Sequence, residues 1–60
     1  MALTEADMRK VEKMFDQLDY YEQQRVTSSQ QSFNTWLYNT SYEIYRKIKD
    51  WLSDLWNWLF

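Results

Sequence analysis

Two pairs of acidic side chains are the best candidates for catalysis in this sequence. Glu12 lies four residues before Asp16, and Asp50 lies four residues before Asp54, so each pair shares one face of a helix. Such a pair could in principle supply an acid and a base. Carboxylates at this spacing are ordinarily solvated residues of a helix surface, and a chain of 60 residues has little room for a substrate pocket. We therefore predict a non-enzymatic protein with no small-molecule substrate.

Other reactive groups are scarce. The chain contains no histidine and no cysteine, which removes the commonest general base and every thiolate metal ligand. We predict no cofactor and no metal site. A nucleic-acid partner is also not expected, because the formal net charge is −2 and a nucleic-acid surface requires a basic face. The basic residues near Trp51 are offset by acidic ones: Arg46, Lys47 and Lys49 against Glu43, Asp50 and Asp54.

The elements that position these side chains are predicted to be helices. The sequence has neither glycine nor proline, whereas ordinary usage would place about seven of them in a chain of this length. Strands joined by tight turns normally need both residue types. The fold class predicted from this composition is all-α, in one small helical module that spans residues 1–60.

A first helix is predicted at about residues 4–26. Thr4 followed by Asp7 is close to a capping box, and an apolar stripe recurs at helical spacing from Met8 to Tyr21. The pattern fades after residue 22, and Ser28 with Gln31 matches a second capping box, so we expect a turn near residues 26–30. No glycine is available for a left-handed C-cap there. A kink or one continuous helix therefore stays open as an alternative.

A long second helix is predicted at about residues 29–60, with apolar side chains on two faces. The main seam runs from Phe33 through Ile44 to Leu59, and the small residues Thr40 and Ser41 could admit a close helix crossing within it. The second seam contains Tyr38, Tyr45, Leu52 and Trp56. The shorter first helix can cover only one seam. We therefore expect a two-helix hairpin that assembles into a helical bundle with itself or with a partner.

The aromatic-rich second helix is the predicted binding surface. Trp and Tyr dominate interaction hot spots, and a large exposed apolar patch normally marks an interface. The function predicted from this pattern is a protein–protein interaction module, either self-assembling or an accessory or adaptor subunit. Most of the predicted interface residues belong to the two seams, and Trp36 lies on the opposite flank of the helix. The full set is Trp36, Tyr38, Tyr45, Ile48, Trp51, Leu52, Leu55, Trp56, Trp58 and Leu59.

The alternative function is a peripheral membrane protein anchored by the amphipathic, Trp-rich C-terminal helix. Asp54 and the absence of Lys and Arg from the last nine residues weigh against it. The first residues lack the basic and apolar regions of a signal peptide, and no run of 18 apolar residues is present. We therefore expect a cytoplasmic protein, with membrane association as the alternative.

Overall fold

The computed structural model describes residues 3–60, and these residues form five α-helices and one short 3₁₀ turn. The helices are α1 (Glu5–Asp16), α2 (Tyr20–Val26), α3 (Gln30–Thr40), α4 (Tyr42–Ile48) and α5 (Leu52–Leu59), with the 3₁₀ turn at Lys49–Trp51. No strand occurs among the described residues. The predicted all-α class is confirmed.

The predicted two-helix hairpin is not confirmed, because each of its helices is interrupted. The first helix ends at Asp16 and resumes at Tyr20. The second is broken at Ser41 and again at the 3₁₀ turn Lys49–Trp51. The loop between α2 and α3, residues 27–29, lies where the turn was expected. The extra breaks let the C-terminal half fold back on itself, so that its apolar faces cover one another.

Hydroxyl or carboxylate side chains cap the N-termini of four of the five helices, and no glycine or proline marks the helix ends. Thr4, Asp19, Ser29 and Ser41 are N-caps, and each side chain accepts a hydrogen bond from the backbone N–H three residues later. The second capping box was expected at Ser28, but that hydroxyl donates to the carbonyl of the preceding helix and Ser29 caps α3 instead. No described residue has a positive φ angle, so the chain turns without left-handed residues.

The hydrophobic core receives side chains from all five helices. Its buried members are Val11, Val26, Phe33, Leu37, Ile48, Leu52 and Leu55. The radius of gyration is 10.5 Å, against about 10 Å for a compact domain of this length. The accessible surface is 4324 Å², against roughly 4,300 Å² for a folded monomer of this mass. A single copy is therefore as compact as an ordinary small globular domain.

Two polar contacts join helices that are distant in sequence. The Asp7 side chain is only 12% exposed; one of its carboxylate oxygens lies 3.5 Å from Lys47 Nζ on α4 and the other accepts from the Thr4 hydroxyl. Gln30 Nε2 donates to Ser53 Oγ at 2.9 Å and links α3 to α5. Within residues 3–60, none of the helices has both the length and the apolar character needed to cross a bilayer.

Candidate interaction surface

Three of the residues predicted to lie at an interface are instead inside the fold. Ile48 is 1% exposed, Leu52 9% and Leu55 0%. The 3₁₀ turn before α5 redirects the chain, so that this part of both predicted seams packs on α3 and the rest of the core. These three side chains are buried within a single copy of the chain, so Ile48, Leu52 and Leu55 are not carried into the candidate surface described below.

Five more predicted interface residues are partly buried. Trp36, Tyr45, Trp56 and Leu59 pack against the core, and Trp51 in the 3₁₀ turn is half-buried. Trp36 and Trp56 belong to an aromatic cluster formed with Phe15, Phe33 and Phe60, in which neighbouring ring centroids are 4.8 to 5.9 Å apart. Both tryptophans therefore contribute mainly to stabilising the fold, with part of each ring left at the surface.

Tyr38 and Trp58 are the two predicted interface residues that are exposed, at 49% and 41%. Tyr42, which the seam pattern missed, is 55% exposed. The ring of Tyr38 lies 5.2 Å from that of Tyr42 and 5.1 Å from that of Tyr45, both edge to face, and the latter two rings are stacked at 6.5 Å. We call Tyr38, Tyr42 and Tyr45 the tyrosine patch.

The tyrosine patch is built across the junction of α3 and α4. Tyr38 lies in the last turn of α3, while Tyr42 and Tyr45 lie in α4. Ser41 joins the two helices: its N–H donates to the Leu37 carbonyl, and its carbonyl accepts from the Tyr45 N–H, both at 2.9 Å. The spacing of the tyrosines is i, i+4 and i+7, which is one face of a helix. That spacing was the signal by which the sequence could have grouped Tyr42 with Tyr38 and Tyr45, although not shown that it is exposed.

A shallow groove of mixed polar and apolar lining borders the tyrosine patch. It has a volume of about 320 Å³ and is lined by Gln31, Asn34, Thr35, Tyr38 and Tyr45. Asn34 Oδ1 is buried and has no hydrogen-bond partner among the described residues. Amide and hydroxyl groups beside exposed aromatic rings provide the mixed character of a protein interface, in which an apolar centre is surrounded by polar groups.

Four exposed charged residues on or directly after α4 form no ion pair within residues 3–60, unlike Lys47 of the same helix, which pairs with Asp7. Glu43, Arg46, Lys49 and Asp50 are exposed, and none of them takes part in an ion pair within residues 3–60. By contrast, the exposed Arg9 and Arg25 each pair with a glutamate of their own helix. These four charges sum to zero, and the exposed Lys47 of α4 adds a positive charge that its ion pair with Asp7 balances.

A second exposed aromatic region lies at the C-terminal end. Trp58 has the guanidinium of Arg9 5.8 Å from its ring centroid, and Phe60 is 54% exposed. Beside Phe60 lies an open groove of about 410 Å³ between α2 and the end of the chain, with an apolar wall of Phe15 and Trp56. This groove shares no lining residue with the groove beside the tyrosine patch.

The candidate catalytic carboxylates lie at or near the protein surface. Asp16, Asp50 and Asp54 are exposed, and Glu12 is half-buried with one carboxylate oxygen 3.6 Å from Arg9. No group of three or more acidic side chains among residues 3–60 is placed to hold a metal ion. Comparison of the chain with models of known protein families, with curated proteins and with solved structures found no match.

Proposed function

We propose that this protein is a non-enzymatic, cytoplasmic interaction module, self-assembling or an accessory subunit, that binds a protein partner through the tyrosine patch. The observation that supports this proposal is the mutual packing of three tyrosine rings of which two are about half exposed. Tyrosine is enriched in interface hot spots because it offers a large amphipathic contact with only two side-chain torsions.

The three rings of the tyrosine patch already contact one another within a single copy of the chain. The Tyr45 ring is half-buried against the core. Its centroid lies 5.1 Å from that of Tyr38 and 6.5 Å from that of Tyr42, the two exposed rings. Ordering a side chain on binding ordinarily costs about 0.5–1.5 kcal/mol. Because the rings hold one another in place, much of that cost is met when the chain folds. The surface is therefore suited to binding.

The size of the tyrosine patch fits the centre of an interface. Tyr38 is 49% exposed and Tyr42 is 55% exposed. Because a full aromatic side chain has about 200 Å² of surface, the two side chains together present roughly 200 Å² of accessible surface. Covering that area at ~25 cal/mol per Å² yields up to about 5 kcal/mol before the costs of association. A standard interface buries about 800 Å² on each partner. The amide and hydroxyl groups of the bordering groove and the charges of α4 would supply the surrounding rim.

Site-specific photo-crosslinking in the cells that make the protein tests this proposal. A benzoylphenylalanine placed at Tyr42 is expected to form a discrete protein adduct upon irradiation. The matched control is the same amino acid at Tyr20, which is 76% exposed and lies on α2 outside the tyrosine patch. Equal adducts from both positions, or no protein adduct from position 42, would refute binding through the tyrosine patch.

The alternative is a membrane-surface function, and one observation favours it. Trp58 and Phe60 are both exposed near the end of the chain, as expected of side chains that enter a headgroup region. Asp54 and the lack of Lys and Arg in α5 oppose it. Flotation with anionic phosphatidylserine vesicles tests the alternative: we expect native protein and a Trp58→Ser variant both to stay in the dense fraction. Flotation of the native chain, abolished by Trp58→Ser, would favour the membrane instead.

A further inference from the structure

We infer, resting on the proposed function, that the occupant of the tyrosine patch is a second copy of this chain, with the two α4 helices antiparallel across a two-fold axis. The inference starts from the exposed charges of α4. Glu43 and Arg46 are separated by less than one turn, have opposite sign, and have no ion-pair partner within residues 3–60. A surface of this kind is complementary to a copy of itself.

The outer face of α4 follows from its buried face. Ile48 is 1% exposed and Ile44 is half-buried against the core, so these two side chains mark the inner side of the helix. At roughly 100° per residue, Arg46 points about 180° away from their mean direction. Tyr42 and Glu43 flank Arg46 on either side of this outer face. One exposed strip of α4 therefore contains an aromatic ring, an acid and a base.

A two-fold axis brings these three groups into pairs. In an isologous interface, if residue i of one copy contacts residue j of the other, then j also contacts i. Antiparallel helices that cross near the middle of α4 place Glu43 of each copy opposite Arg46 of the other. The same crossing places each guanidinium beside the Tyr42 ring of the other copy, where a cation–π contact forms. Both ion pairs arise from a single contact, and they compensate Glu43 and Arg46 on each copy.

The charges favour a second copy over a partner whose face is strongly acidic or strongly basic. A partner with a strongly acidic or basic face would attract one of Glu43 and Arg46 and repel the other. A second copy satisfies both. The tyrosine patch presents about 200 Å² of exposed aromatic surface on each copy, so we expect an interface near the lower end of the usual size range, below about 1,200 Å² in total. The dimer should be reversible, with a dissociation constant in the micromolar to millimolar range.

Sedimentation equilibrium with charge-reversal variants tests the pairing. We expect the native chain to dimerise, and Glu43→Arg or Arg46→Glu alone to weaken dimerisation at least 10-fold, since each faces two like-charge contacts. An equimolar mixture of the two variants should recover dimer, because the mixed pair contains two Arg–Glu contacts. Asp16→Arg and Lys10→Glu are matched controls, since these exposed residues of α1 undergo the same changes of charge and should leave dimerisation unaffected.

The outcomes separate this inference from the proposed function. A native chain that stays monomeric to about 1 mM, a concentration corresponding to the weakest association expected, overturns the second copy as occupant. So does a mixture of the two variants that dimerises no better than either variant alone. If a crosslink from position 42 then reaches a different protein, the interaction function survives with another partner. If position 42 yields no protein adduct, both the second copy as occupant and the proposed interaction function are refuted. Circular dichroism of each variant verifies that the exposed substitutions leave the fold intact.

Discussion

Replacing Phe33 is expected to remove most of the stability of the fold. The side chain is fully buried, and its ring centroid lies 5.6 Å from those of Trp36 and Trp56 and 5.8 Å from that of Phe60. Truncating a buried phenylalanine to alanine costs about 3–5 kcal/mol. A domain of 60 residues has a free energy of unfolding of roughly 3–9 kcal/mol. Phe33→Ala should therefore unfold at very low urea or lose its cooperative transition.

A milder substitution gives a measurable value. Phe33→Leu keeps most of the volume but loses the aromatic contacts, which are worth about 0.5–1.5 kcal/mol per pair. We expect a loss of about 1–2 kcal/mol and a fall in melting temperature of roughly 4–16 °C. The control is Tyr21→Ala, since that side chain is 76% exposed and its loss should change stability by about 0.5 kcal/mol or less.

Thermal and urea unfolding followed by circular dichroism measures these differences. Phe33→Ala, Phe33→Leu and the Tyr21→Ala control should rank in that order of decreasing damage. If Phe33→Ala and Tyr21→Ala cost equally little, below about 1 kcal/mol, the C-terminal residues would not be folded back against α3. The compact single-copy fold would then be incorrect, and with it the placement of the tyrosine patch.

Two further predictions concern the polar contacts that hold the helices. Ser29→Ala should lower the free energy of unfolding by about 1 kcal/mol and Ser41→Ala by about 0.5 kcal/mol. The reason is that the capping hydrogen bond of Ser29 is 3.0 Å long, whereas that of Ser41 is 3.4 Å. The reverse order in urea unfolding would contradict this ranking. Asp7→Ala should cost about 1–2 kcal/mol of the free energy of unfolding. Lys47→Met should cost about 0.5 kcal/mol or less, since the Lys47 side chain is 60% exposed. Equal losses in the same assay would show that the Asp7–Lys47 ion pair, and not the Thr4–Asp7 hydrogen bond at the helix cap, stabilises α1.

The sequence predicted the helices better than it predicted their breaks. The all-α class, the Thr4 cap and the turn before residue 30 followed from composition and capping patterns. The break at Ser41 did not, because a serine within an apolar stripe is also compatible with a continuous helix. Its hydroxyl becomes a cap only when the flanking helices pack against each other. That choice depends on contacts between residues far apart in sequence, which local patterns do not contain.

The prediction of the interface residues depended on the same missing information, the positions of the helix breaks. The expectation that two apolar seams need an external partner assumed that the C-terminal half is a straight rod. With the break at Ser41 and the turn at Lys49–Trp51, the seams close on each other, and Leu52 and Leu55 enter the core. Tyr38 remains exposed because it lies at the end of α3, where the chain changes direction. Exposure could not be read from helical spacing alone.

Hydroxyl-radical footprinting of the tyrosines tests most directly whether the tyrosine patch is the binding surface. In purified protein at high dilution, Tyr38 and Tyr42 should be oxidised readily, as their exposure indicates. Inside the cells that make the protein, both should be protected several-fold, while Tyr20 and Tyr21, each 76% exposed on α2, stay reactive. Equal protection of all four tyrosines, or protection of none, would contradict the proposal that a partner covers the tyrosine patch.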